Sequence, residues 1–279
     1  MAKFAGVQSK TFGDFKITYL NDGGGYITPH AMYPASTEEA WQAYKDLLNE
    51  DGALVVSIGG FLIETGDQKI VMDLGFGPQT VEFPGFGPFI GGEFMNSLAK
   101  TGVSPDEVTD VVFTHLHLDH VGWTSTDGKL TFPNAKHMAT KADWDFWSAD
   151  ESGMGMHPEA VAPFLKEHLN YVSAGDEIAP GMKVLSTPGH TPGHISLHIA
   201  AGDQEVYLIA DLLHSAVQFV EADWHVAFDI DPAQGRATRE GIYADLARDN
   251  VLVADGHFSD HVFGRVMLDD GKPTWHPAS

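Results

Sequence analysis

The sequence predicts a mixed α/β or α+β protein in which helices cover the faces of β-sheets. Short segments dominated by β-branched residues recur along the chain, and stretches with helix-start signals lie between them. No internal repeat, charge block or low-complexity linker interrupts this alternation. We therefore expect residues 1–279 to form one domain with a sizeable core.

Each strand prediction rests on an apolar run that Gly, Asp or Pro bounds. The predicted strands are 15–20, 53–64, 69–73, 110–114, 182–186, 194–199, 205–210, 250–254 and 265–268. The helix predictions draw on capping signals, such as Ser36 with Glu39 three residues later, and Asp231 directly before Pro232. The predicted helices are 36–49, 92–100, 141–149, 158–169 and 232–249.

Residues 74–94 form a different kind of segment, rich in Gly and containing five Phe and three Pro. A turn-forming segment this aromatic is uncommon on a plain surface. Two interpretations stay open. The rings pack down as a hydrophobic plug, or they form a mobile apolar rim over a pocket.

Charge and residue counts exclude several classes of function. The chain has 39 acidic and only 16 basic residues, a formal charge of −23, which argues against nucleic acid and against an anionic membrane as partners. Without Cys, disulfides, thiolate nucleophiles and Cys-ligated metals are ruled out. No signal-peptide core or 18-residue apolar run stands out, so we expect a cytoplasmic protein. The 15 histidines beside many acids indicate metal binding.

The run THLHLDH at residues 114–120 directly follows an apolar strand. His115 and His117, two residues apart at a strand end, can point the same way, and the turn lets Asp119 and His120 face a neighbouring point. So many polar groups are costly at a buried strand end unless they bind something. Nitrogen and oxygen ligands of this kind suit Zn²⁺, Fe²⁺, Mn²⁺ or Co²⁺.

This HxHxDH run resembles the signature of the metallo-β-lactamase superfamily. Further matching pieces follow in order, namely KIVMDLG at 69–75, TPGHTPGH at 187–194, YLIAD at 207–211 and VLVADGH at 251–257. The resemblance covers roughly residues 17–268. It implies a four-layer αββα sandwich of two similar halves, with the metal ions at one edge of the sheets.

The resemblance also implies a set of seven metal ligands. By this resemblance, one ion is held by His115, His117 and His190. The other ion is held by Asp119, His120 and His257, and Asp211 bridges both ions. His194 and His261 are the alternatives to His190 and His257. Asp73 is expected to orient a ligand histidine.

A dinuclear metal-dependent hydrolase follows from this ligand set, with zinc as the first choice of metal and Mn, Co or Fe as alternatives. Its nucleophile would be a hydroxide that bridges the two ions. Asp119 is the expected proton shuttle to the leaving group. A metal-binding member without hydrolytic turnover, or an iron-dependent redox member, is a further alternative.

The substrate is expected to be a small, neutral, fairly apolar lactone or carboxylic ester, because the acidic chain repels polyanions. Organophosphate triesters, as in enzymes similar to methyl parathion hydrolase, are the alternative, and β-lactam amides are a more distant one. Lactonases of the family usually have a Tyr where this chain has His214, which we assign to the catalytic site. The candidate pocket residues are Phe83, Phe86, Phe89 and Trp123. Dimerisation is common among the lactonases and organophosphate hydrolases of this family. The resemblance therefore implies that a homodimer is possible.

Overall fold

The structure, a computed structural model, describes residues 1–278. Its strands, in chain order, are β1 (Gln8–Phe12), β2 (Phe15–Ile27), β3 (Leu54–Thr65), β4 (Gln68–Met72), β5 (Thr80–Phe83), β6 (Gly87–Ile90), β7 (Asp110–Val112), β8 (Ser125–Thr126), β9 (Lys129–Leu130), β10 (Lys136–Thr140), β11 (Leu169–Val172), β12 (Glu177–Ala179), β13 (Met182–Ser186), β14 (Ile195–Ala201), β15 (Gln204–Leu208), β16 (Val251–Ala254), β17 (Phe263–Asp269) and β18 (Lys272–Pro277).

Helices lie mostly between these strands. The α-helices are α1 (Pro29–Met32), α2 (Glu38–Trp41), α3 (Phe94–Thr101), α4 (Leu118–Val121), α5 (Lys141–Trp147), α6 (Ala162–His168), α7 (Val217–Val220) and α8 (Pro232–Leu246). Short 3₁₀ turns cover Gln42–Leu47, Pro105–Glu107 and Ala210–Leu212. None of the helices described over residues 1–278 combines the length and the apolar character needed to cross a bilayer.

Two large sheets form the centre of the fold. The first has the order β11-β10-β7-β4-β3-β2-β6-β5, with β1 added at β2, and the second runs from β12 to β18 in chain order. One apolar cluster lies between the sheets and draws side chains from both, for example Ile17, Phe61, Leu197 and Phe263. Separate clusters cover the outer face of each sheet. The four-layer αββα sandwich is therefore confirmed.

Strand direction brings the functional loops to one edge of the sandwich. In the first sheet β4 and β7 are parallel, so their carboxyl ends meet. In the second sheet β15 and β16 are parallel, and β13 runs in the same direction because β14 is antiparallel to both β13 and β15. The loops after these five strands carry every residue of the candidate metal centre.

Several predicted elements have different bounds or partners in the structure. The helix predicted at 36–49 is a short α2 followed by a 3₁₀ turn, because Tyr44 has non-helical backbone angles. Its cap is Thr37, whose hydroxyl accepts a hydrogen bond from the Ala40 amide, and not Ser36. The cap at Asp231 is confirmed, since its carboxylate accepts from the Gln234 amide.

The Phe-rich segment forms the hairpin β5–β6, which extends the first sheet. Gly24 and Gly25 of β2 pair with Ile90 and Phe89 of β6. A side chain at residue 24 is excluded because its Cβ would lie 2.3 Å from the carbonyl oxygen of Val56. These glycines therefore let the hairpin join the sheet next to the site.

Candidate metal centre

Three imidazoles and one carboxylate converge at the end of β7. The Nε2 atoms of His115 and His190 lie 2.8 Å and 2.9 Å from Nδ1 of His117. The Oδ2 atom of Asp211 lies 3.2 Å from Nε2 of His190 and 3.6 Å from Nε2 of His115. All four side chains are buried. We call these residues the three-histidine cluster.

A second group of side chains meets the other oxygen of Asp211. Its Oδ1 atom lies 3.1 Å from Nε2 of His120 and 3.0 Å from Nε2 of His257. The carboxylate of Asp119 lies 3.7 Å from the same His120 nitrogen and 3.9 Å from that of His257. We call Asp119, His120 and His257 the two-histidine cluster. Asp211 thus faces both clusters, one with each oxygen.

The opposite ring nitrogens of these histidines have partners that fix where their protons lie. Nδ1 of His257 donates to the Ser57 carbonyl oxygen at 2.8 Å. Nδ1 of His190 donates to the Asp229 carboxylate at 2.8 Å, whereas Nδ1 of His120 lies 3.0 Å from the Asp73 carboxylate in an ion-pair contact without hydrogen-bond geometry. The Nε2 atoms of these rings are then left with a lone pair that points at Asp211.

Lone pairs that face a carboxylate and one another at about 3 Å repel unless positive charge lies between them. The Nε2 atom of His120, 3.1 Å from Oδ1 of Asp211, is buried and has no hydrogen-bond partner within residues 1–278. Unpaired buried polar atoms of this kind are costly. Imidazole nitrogens and carboxylate oxygens are a donor set typical of zinc and related divalent ions. The residues present therefore fit two divalent cations.

The pKa shifts agree with this demand for positive charge. Burial opposes the charged form of His190, but Asp211 and Asp229 outweigh it and raise the pKa of His190 to about 9. Burial is likewise outweighed by Asp211 at His257, whose pKa also rises to about 9. Burial disfavours the Asp211 anion, yet the surrounding imidazoles hold its pKa well below the usual range. The centre therefore attracts cations to Asp211.

The two alternative histidines lie outside both clusters. His194 is buried, but its Nδ1 donates to the Thr187 carbonyl oxygen at 2.9 Å and its Nε2 accepts from the Asp211 amide at 3.1 Å. Both ring nitrogens are thus engaged by backbone groups, and Nε2 holds the Asp211 backbone in place. His261 is exposed on a polar turn.

Two buried carboxylates tie the loops of the centre together. Asp73 accepts from the amide and the hydroxyl of Thr114, each at 2.8 Å, and lies 3.0 Å from Nδ1 of His120. Asp143 accepts from the Leu116 amide, the Thr191 hydroxyl and the Gly193 amide. It thereby links the HxHxDH loop to the TPGHTPGH loop. Sequence reasoning missed Asp143, because it lies in a predicted helix far from both motifs.

A largely apolar cavity of about 120 Å³ opens onto the clusters, and we call it the central cavity. Phe83, Phe86 and Phe89 of the hairpin line it together with Phe228, and Asp119 and His214 are exposed to it. Nε2 of His214 lies 3.0 Å from Oδ2 of Asp211.

Trp123, predicted as a pocket residue, is not among the residues that line the central cavity. Its indole is buried and donates to the Asp22 carboxylate at 3.0 Å. The ring packs in the cluster that covers the outer face of the first sheet. Trp123 therefore supports the base of the Phe-rich segment through Asp22.

A larger depression of about 550 Å³ lies beside the central cavity, and we call it the outer groove. Phe83 and Leu118 line both spaces. The groove continues along Val81 on one side and along Met156 and Val161 on the other. An extended apolar group could thus pass from the clusters over Phe83 into the groove.

Comparisons with known proteins agree with this geometry. A model described as the metallo-beta-lactamase superfamily matches residues 60–257. The N-acyl homoserine lactonase AiiA of Bacillus thuringiensis subsp. kurstaki is 30% identical in an alignment of 184 residues that covers 61% of this chain and 69% of the relative.

Two solved structures are similar over nearly the full chain. The dizinc quorum-quenching lactonase AidC, in complex with a product, has a TM-score of 0.85 at 25% identity and covers 99% of this chain and 98% of its own. The hydrolase AbOPH of the beta lactamase superfamily has a TM-score of 0.83 at 30% identity, with 99% of both chains covered.

Proposed function

The chain belongs to the metallo-β-lactamase superfamily, and from this premise we propose that it hydrolyses small, uncharged lactones or carboxylic esters with a pair of divalent metal ions. The observation that carries the proposal is the position of Asp211, whose two oxygens face two separate groups of imidazole nitrogens. The proposed ligands are His115, His117 and His190 for one ion, Asp119, His120 and His257 for the other, and Asp211 for both.

When bound, such a pair supplies a nucleophile derived from water at neutral pH and polarises the oxygen of the substrate carbonyl. Zinc fits the donor set, and the related dizinc lactonase supports that choice. Mn, Co and Fe take the same ligands, so metal analysis has to decide among them.

The chain's own residues supply proton transfer and orientation. Asp119 is the least buried acid of the clusters, with 20% of its side chain exposed, and it lines the central cavity. It is therefore placed to accept a proton from the attacking water and to return it to the leaving alkoxide oxygen. His214 also lines the cavity, stacked on His257 with their ring centroids 5.3 Å apart, and can donate to an oxygen of the substrate.

The walls of the central cavity favour an apolar, uncharged substrate. Four aromatic rings line the cavity next to the clusters, those of Phe83, Phe86, Phe89 and Phe228. No Lys or Arg lines this cavity among residues 1–278. Carboxylate-bearing polyanions would lack a counter-charge there. N-acyl homoserine lactones, the substrates named for the related lactonases, have this character and are our first choice of substrate class.

A phosphotriester is the second candidate substrate. Three residues after Asp211 this chain has His214, where a Tyr would be typical of lactonases. An imidazole N–H therefore replaces the Tyr hydroxyl as the hydrogen-bond donor to the substrate. Neutral phosphotriesters also suit the apolar walls, and their reaction passes through a charged centre that the same cations stabilise.

A substrate panel joined to metal analysis tests the proposal. Protein purified from metal-replete medium should hold about two equivalents of divalent metal and hydrolyse a γ-lactone with an apolar side chain and an aryl ester. An aryl phosphotriester that turns over faster than both would favour the second candidate. Loaded protein that hydrolyses none of the three, or a β-lactam alone, would overturn the proposal. His117→Ala should abolish turnover, and His261→Ala, an exposed histidine outside the clusters, is the matched control.

The outer groove provides a test of substrate length. Val81 lines the groove, whereas the next residue of the same strand, Glu82, is exposed and does not. Val81→Trp should lower kcat/KM for a long-chain acyl lactone about tenfold while a short-chain lactone is unaffected. Glu82→Trp should change neither. An equal loss for both chain lengths would place the acyl chain elsewhere.

A further inference from the structure

A buried carboxylate supports the ligand histidine of the TPGHTPGH loop from behind. Oδ1 of Asp229 lies 2.8 Å from Nδ1 of His190, and 1% of the Asp229 side chain is exposed. The backbone is held in the same place, since Ile230 donates to the His190 carbonyl oxygen and Asp231 donates to that of Gly189. The Asp229 carboxylate is thus fixed relative to His190 by two backbone hydrogen bonds as well as by its own hydrogen bond with the His190 ring.

A buried cation stands behind this carboxylate. The guanidinium of Arg239, on α8, lies with Nη1 3.8 Å from Oδ2 of Asp229, and 3% of its side chain is exposed. The Nε and Nη2 atoms of Arg239 have no hydrogen-bond partner among residues 1–278. A buried arginine is rare unless it is paired, and Asp229 is the one carboxylate within 4 Å of it in the described chain.

Helix α8 is docked directly on the loop that carries His190. The Thr238 hydroxyl donates to the Pro188 carbonyl oxygen at 2.7 Å. Gly189 and Gly235 approach so closely that a Cβ on Gly189 would lie 2.2 Å from the Gly235 backbone. The position of Arg239 relative to His190 is therefore set by packed backbone and not by a flexible side chain alone.

The other ligands of the three-histidine cluster lack such support. Nδ1 of His115 meets the Thr114 hydroxyl at 3.1 Å, a neutral partner. His117 uses its Nδ1 toward the cluster, and its Nε2 has no partner among residues 1–278. In this cluster only His190 has a carboxylate behind its ring, while in the two-histidine cluster Asp73 lies 3.0 Å from Nδ1 of His120 without hydrogen-bond geometry.

We propose that Asp229 and Arg239 are positioning residues that set how tightly the three-histidine cluster holds its metal ion. The inference rests on the proposed function, because it assumes that the cluster binds metal. Asp229 takes the proton-bearing Nδ1 of His190 as its partner, which leaves Nε2 free to bind metal. The carboxylate also makes Nε2 a stronger electron-pair donor to that metal. Arg239 places a buried positive charge behind Asp229, on the side away from His190, and its own burial is balanced by that carboxylate.

Metal retention in a graded series of variants tests this role. Asp229→Ala should weaken one of the two metal equivalents by 10–100-fold in a chelator competition, and the second equivalent should stay unchanged. Asp229→Asn should have a smaller effect, because its amide oxygen still accepts from His190. Arg239→Met should resemble Asp229→Ala, whereas Arg239→Lys should recover most of the affinity. Cobalt-loaded protein provides a second readout, since its absorption bands should change for one ion only.

The controls separate this role from general docking of α8. Thr238→Val removes the hydrogen bond to Pro188 without touching a charge, and it should leave both equivalents in place. Thermal unfolding of each variant confirms that it is folded. Folded Asp229→Asn and Arg239→Met proteins with unchanged affinities, or an equal loss in Thr238→Val, would overturn the inference alone. A wild-type protein that binds no divalent metal would overturn the proposed function as well.

Discussion

The carboxylate of Asp22 accepts a hydrogen bond from the indole nitrogen of Trp123 at 3.0 Å. The same carboxylate also accepts from four backbone amides of the Phe-rich segment, those of Phe76, Gly77, Gly92 and Phe94. Asp22 is fully buried. It therefore joins both ends of the segment that lines the central cavity to the helix region that follows the HxHxDH run.

Replacing Asp22 should destabilise the protein and disturb the cavity at the same time. Asp22→Ala leaves five donors without their acceptor, and we expect a loss of about 3 kcal/mol or more in urea unfolding. Asp22→Asn keeps one acceptor oxygen and should lose less. In folded Asp22→Asn protein, KM for a bulky apolar lactone should rise while metal content stays constant. An unchanged KM would show that the hairpin keeps its position without this carboxylate.

His137 provides a test of pH dependence away from the metal centre. This residue of β10 is buried, its ring stacks against Phe113, and neither ring nitrogen has a hydrogen-bond partner within residues 1–278. Burial lowers the pKa of His137 to about 4. In the unfolded chain the His137 imidazole has a pKa of about 6.5 and binds a proton more readily than in the folded protein. The free energy of unfolding is therefore highest above pH 6.5 and falls as the pH drops toward 4.

The variant His137→Phe should remove this part of the pH dependence. Between pH 7.5 and 4, wild-type protein should lose up to about 3 kcal/mol more unfolding free energy than the variant. Urea unfolding of the metal-loaded proteins at several pH values gives the comparison. His261→Phe, at an exposed site, should behave like wild type. Parallel pH profiles for wild type and His137→Phe would show that His137 titrates normally in the folded protein.

The sequence predicted the parts of the site that are local in the chain. His115, His117, Asp119 and His120 lie within six residues, so their spacing alone indicates a metal centre. Asp229 and Asp143 could not be found in this way. They reach His190 and Leu116 from 39 and 27 residues away, and only the packing of the loop before α8 and of α5 brings them there.

The missed strands have a similar explanation. Strand β10 lies in the sheet between β7 and β11, yet its sequence KHMAT lacks the β-branched run that predicts a strand. The hairpin β5–β6 is rich in Gly and Pro, which are typical of loops, and it becomes a strand pair because β2 offers it an edge. Pairing with neighbouring strands in the folded protein therefore determines both elements.

That the chain forms one domain stays a prediction.

His214 is predicted to act on the substrate and not on the metal ions. The variant His214→Phe keeps an aromatic ring between His257 and Phe228 but removes both ring nitrogens. We expect kcat to fall 10–100-fold with two metal equivalents retained, because loss of a hydrogen bond to a developing charge acts mainly on the transition state. Steady-state kinetics and metal analysis of the same preparation check this. Loss of one metal equivalent would instead identify His214 as a ligand.

Metal removal should unmask the repulsion that the clusters contain. Without cations, Nδ1 of His117, Nε2 of His120 and the carboxylate of Asp211 lie buried and close together. Ions at a thousandfold excess over their Kd stabilise the folded state by about 4 kcal/mol per site. For a chain of this size, two such sites correspond to a Tm decrease of about 15 °C after treatment with a chelator. Calorimetry before and after chelation, and after Zn²⁺ is returned, measures the difference. His117→Ala, which weakens one cluster, should show a clearly smaller decrease, and an equal decrease in both proteins would mean that the three-histidine cluster contributes no stabilising metal site.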